Sequence, residues 1–107
     1  MTRVKIEPGI CGLNTKVEAE ADDDGGVVVK IYSACKAIQQ MAAELGEEFD
    51  PYDICFQKPG NGPFYEFARS GKAPIHAACP TISGIVKCVE AECGMALKKN
   101  VSIEFID

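Results

Sequence analysis

No C-x-x-C occurs anywhere in the 107 residues, although six of them are cysteine: Cys11, Cys35, Cys55, Cys79, Cys88 and Cys93. That absence excludes ferredoxin-type runs, zinc ribbons and thioredoxin-type dithiols, so any thiol site has to be assembled by the fold. No apolar run reaches membrane-spanning length, and residues 1–15 lack the apolar core of a signal peptide. The expected location is therefore the cytoplasm, with no membrane association, where thiols stay reduced and a disulfide framework is not expected. Basic residues are scattered singly, with no run beyond Lys98 and Lys99. Eleven bases against sixteen acids leave a net charge of −5, and together these features argue against nucleic-acid binding. Tryptophan is missing and histidine occurs once, at His76.

What is present reads as one α+β domain over residues 1–107, long enough to bury a core without staples. Residues 3–7 alternate, with Val4 and Ile6 on one side, and end at Pro8-Gly9. Residues 14–21 and 27–33 alternate again around "DDDGG", a turn-forming cluster, and so read as a β-hairpin. Inward residues must oppose inward residues, which pairs Ala21 with Val27, Val17 with Ile31 and Thr15 with Ser33. Ser33 is the expected cap of a helix over residues 34–45, with Cys35, Ile38, Met41, Ala42 and Leu45 on its apolar stripe. "FDPYDICFQ" fits either a short helix or extended chain. "PFYEFARSG" reads as a short helix with Pro63 at its first position. A last helix is expected over residues 80–93, and a final strand over residues 100–106 with Val101, Ile103 and Phe105 inward. The order βββαααβ, each strand having one charged face, gives a two-layer domain. Its four-stranded sheet is antiparallel or mixed, with helices on one face.

The hairpin register carried outward places Cys11 and Cys35 at one end of the sheet. Cys79 joins them if the final strand runs parallel to residues 27–33. Cys35 opens the first helix, and Cys79 precedes Pro80 at the start of the last. A helix N-terminus favours thiolate, the form that attacks and that binds metal. His76, three residues before Cys79, is placed to share an ion with it. Cys93 reads as a packing residue on the apolar stripe and Cys88 as incidental on a helix flank.

"GICGLNTKVEA", the "SAC" before the first helix, and "HAACPTISGIVKCVEAECGMAL" together carry a resemblance. The chain resembles a family of small uncharacterised prokaryotic proteins, common in anaerobes, that is a domain of unknown function. That resemblance singles out Cys11, Cys35 and Cys79 and implies no activity. Three functions compete. The first is a zinc, iron or iron–sulfur site built from Cys11, Cys35 and Cys79, with His76 or an external fourth ligand. The second is a thiol redox protein or enzyme with Cys79 or Cys35 as nucleophile and His76 as base. The third is a ligand-binding or interaction module whose thiols only pack, with a phosphate or carboxylate at the helix starts. A protein or small-molecule partner, or a homodimer, stays open.

Overall fold

Alternation and turn chemistry build the sheet of the computed structural model, which describes all 107 residues. Strands β1 (Thr2–Ile6), β2 (Thr15–Ala21) and β3 (Val27–Ser33) form an antiparallel meander. The β2–β3 register is the one expected, with Thr15 opposite Ser33, Val17 opposite Ile31 and Ala21 opposite Val27. Asp22 sets the turn: its Oδ1 accepts from the N–H groups of Asp24 and Gly26, both at 2.9 Å. Thr15, Val17, Ala19, Val27 and Val29 are buried, whereas the intervening Lys16, Glu18 and Glu20 face away from the core.

Helix α1 (Lys36–Leu45) buries Ala37, Ile38 and Met41 against β3. Cys35, not Ser33, occupies its cap position. Ser33 Oγ is engaged one step earlier, accepting from the Cys35 N–H at 3.1 Å and sharing a 2.7 Å hydrogen bond with Thr15 Oγ1. Strand β4 (Glu48–Phe49) then pairs antiparallel with β3, opposite Val28 and Val27, and is the fourth strand. Helix α2 (Pro51–Cys55) is capped by Asp50, whose carboxylate accepts from the Tyr52 N–H at 2.9 Å. Helix α3 (Pro63–Ser70) has Pro63 at its first turn, as expected, and buries Phe64 and Phe67. Helix α4 (Thr81–Glu92) lies across β1 and β2, burying Thr81, Ile82, Ile85, Cys88 and Val89. A Cβ added at Gly84 would sit 2.6 Å from Ile6 Cγ1, so the glycine is what lets α4 approach β1 this closely.

The sheet order is β1-β2-β3-β4, wholly antiparallel, with the helices packed on one face. Two further expectations need correction. Helix α4 begins at Thr81, so Pro80 is its cap residue rather than its first helical residue. Residues 100–106 belong to no sheet, and Val101, Ile103 and Phe105 are exposed. The cause lies at the end of α4. Gly94 has a φ of +75°, and the N–H groups of Met95 and Ala96 both donate to Glu90 O, at 2.8 and 3.2 Å. That turn ends the helix and leads the chain out into solvent, where a strand sequence has nothing to pair with.

Candidate functional site

The fold separates the thiols that the sequence suggested would converge. Cys11 is exposed in the turn between β1 and β2, where Gly12 N–H donates to Gly9 O at 3.0 Å and both glycines have positive φ. Extended geometry therefore ends before Cys11, and the register carried out from the hairpin fails there. Cys35 is partly buried at the start of α1. Cys79 lies on the α3–α4 connection, and the strand that was to bring it alongside the other two is not in the sheet. Nowhere do three His, Cys, Asp or Glu side chains gather closely enough to hold a metal ion. The zinc, iron or iron–sulfur centre expected from Cys11, Cys35, Cys79 and His76 is thereby overturned, as is the cysteine cluster itself.

The remaining thiols are chemically quiet. Cys88 is fully buried under the sheet, donating to Thr2 O at 3.3 Å, so it is a core residue and not the flank residue its spacing suggested. Burial pushes its pKa up to about 11. Cys55, at the end of α2, is raised to about 11 by burial first and then by the nearby Glu90 carboxylate and Cys93 thiol. Cys93 sits at the C-cap of α4, partly buried against the core as its place on the apolar stripe suggests, and burial followed by Glu92 and Asp22 raises it too. Protonated thiols of this kind neither attack nor ligate readily at neutral pH.

His76 and Cys79 nevertheless meet at one place. A groove of about 320 Å³ runs between α3 and the connection that leads into α4. Its apolar wall comes from Ala68, Ile75 and Ile82, and its polar groups from Tyr65, Arg69, His76 and Cys79. His76 and Cys79 are tied in one turn, Cys79 N–H donating to His76 O at 3.1 Å. The Cys79 thiol donates in turn to the buried Thr81 Oγ1 at 3.3 Å. Across the groove, Tyr65 and Arg69 stand four residues apart on α3 and so share a helix face. The Tyr65 hydroxyl lies 3.5 Å from Ser83 Oγ of α4. Arg69 Nη1 donates to Gly60 O at 2.5 Å, which orients the guanidinium, and Arg69 pairs with no carboxylate. His76 and Cys79 stand out in the sequence, whereas Tyr65 and Arg69 do not; the one signal for the latter is their four-residue spacing in a short amphipathic helix.

A second concavity, of about 400 Å³, is lined by Glu48, Asp50, Asp53 and Glu66 beside Phe49 and Pro63. Two of these carboxylates have structural work. Asp50 caps α2, and Glu66 Oε2 accepts from the Gly62 N–H at 3.0 Å at the start of α3.

Fold and groove together define a small α+β domain with four antiparallel strands, helices on one face, and a groove beside its third helix lined by Arg69 and His76. The chain belongs to the family of unknown function DUF6951, whose model matches residues 2–105. No curated protein and no solved structure matches it. None of its helices is long and apolar enough to cross a membrane.

Proposed function

We propose that this protein is a small-molecule-binding domain whose α3–α4 groove takes an organic carboxylate with a short apolar body. One observation carries the reading. In a chain with sixteen acidic and eleven basic residues, this groove is lined by Arg69 and His76 and by no acidic side chain. An unpaired guanidinium presents donors in a fork that matches a carboxylate, and Ala68, Ile75 and Ile82 offer the apolar body a wall. The volume falls at the low end of the ~300–1,000 Å³ usual for small-molecule sites, which suits a short ligand. Six free thiols support placing the protein in a reducing cytoplasm.

Thermal denaturation with hexanoate and with 1-hexanol tests the reading. Hexanoate is expected to raise the unfolding midpoint in a saturable way, and the alcohol of equal length to do so far less. Arg69→Ala should weaken hexanoate binding by roughly tenfold or more, the worth of one charge-assisted hydrogen bond. Equal stabilisation by the alcohol, or unchanged hexanoate binding in Arg69→Ala, would overturn it.

A further inference from the structure

We propose that residues 100–106 of one copy add as a fifth strand to the free edge of β1 in a second copy, so that two chains exchange strands. The donor segment is fully visible and unused. Val101, Ile103 and Phe105 alternate with Ser102 and Glu104 as a half-buried strand does, yet they are 67%, 89% and 95% exposed. Apolar side chains repeated at a period of two across one extended segment are a face built to be covered.

The acceptor is equally specific. In the order β1-β2-β3-β4, strand β1 has a neighbour on one side only, which leaves a row of unpaired backbone groups along Thr2–Ile6. Seven donor residues span about 23 Å and the five of β1 about 17 Å, so the donor covers the whole edge. Thr2, Val4 and Ile6 face the core, and the partly buried Val4 packs against it at the sheet margin. A strand added there in matching phase sets Val101, Ile103 and Phe105 beside these side chains. Its other face then sets Glu104 beside Arg3 and Lys5, and Arg3 has no carboxylate partner within its own chain. Cations along an exposed edge discourage indiscriminate pairing, and here they select a strand that carries an acid.

A second copy is favoured because the segment rests on nothing of its own chain: after the turn at Gly94, residues 96–107 are exposed throughout and pair with no strand, β1 included. Each chain thus holds both a free donor and a free acceptor. A reciprocal exchange satisfies both and closes the assembly at two copies.

Sedimentation equilibrium on the full chain tests this, together with hydrogen exchange of the β1 amides. Wild type is expected at twice the 11.5 kDa chain mass with slowly exchanging β1 amides. Ile103→Asp should give a folded monomer with fast exchange along β1, since Ile103 packs on nothing in its own chain. Arg3→Glu should weaken the dimer by roughly tenfold, and adding Glu104→Arg to it should recover that loss. A wild type that stays monomeric at high micromolar concentration would overturn the proposal. So would a dimer that survives Ile103→Asp, or slow β1 exchange in a monomer, which would mean the segment folds back on its own edge.

Discussion

Phe64→Ala is expected to cost this domain about 3–5 kcal/mol, the usual penalty for emptying a buried aromatic site. Phe64 is 1% exposed, and its ring centroid lies 5.1 Å from that of Phe49, tilted at 41°. That pair ties α3 to β4, the short strand completing the sheet, while Phe67 anchors the next turn of α3. The hole cannot close easily, because α3 also rests on α1 and α2. A domain of this size holds only about 5–15 kcal/mol in all, so the variant should lose a large share of its stability. Tyr65 and Arg69 ride on the same helix, so the groove should loosen with it. Urea denaturation measures the loss directly; a value under about 1 kcal/mol would show that α3 is not packed as described.

Glu92→Ala should cost about 2 kcal/mol, the usual worth of hydrogen bonds to a charged group, by releasing one corner of the fold. Glu92 Oε2 accepts from the Ala21 N–H at 2.9 Å and Oε1 accepts from Thr2 Oγ1 at 2.8 Å, while the Met1 amine stands 3.6 Å away. One carboxylate therefore joins the end of α4 to the start of β1 and the end of β2. The Ala21 N–H chiefly holds its pKa below the usual carboxylate value of 4.5, with Thr2 and the Met1 amine adding to the effect and burial opposing it. Because the folded value is depressed, the native state resists protonation, and this stability is complete above pH 4.5. It is lost as pH falls through the folded value. Wild type should therefore show an acid-side decline in stability that is reduced in Glu92→Gln. Equal acid sensitivity in the two proteins would assign that decline to other carboxylates.

The hairpin was legible because two signals agreed: period-two alternation on both strands and a turn cluster that fixed their register. Strand β4 was not, since two residues carry no period and Glu48–Phe49 gains its identity only from β3. Residues 100–106 carry the alternation of a strand but join no sheet, because a period of two marks a face without supplying a backbone partner. The cysteine trio failed for a related reason. Its convergence required extended chain through Gly9–Gly12 and a final strand in the sheet, and neither exists. Cys88 was misplaced because the buried face of α4 is wide enough to take in Thr81, Ile82, Ile85, Cys88 and Val89 together. The three-residue spacing of His76 and Cys79 suggests a shared metal ion, whereas the fold sets both along a groove whose other wall, Tyr65 and Arg69, comes from α3.

The groove is tested most directly by two-dimensional amide NMR spectra of isotope-labelled protein during titration with hexanoate. The expected result is a saturable shift confined to α3 and the connection to α4, strongest around Tyr65, Arg69, His76 and Cys79. Shifts centred on Glu48, Asp50, Asp53 and Glu66, or no saturable shift at any residue, would contradict it.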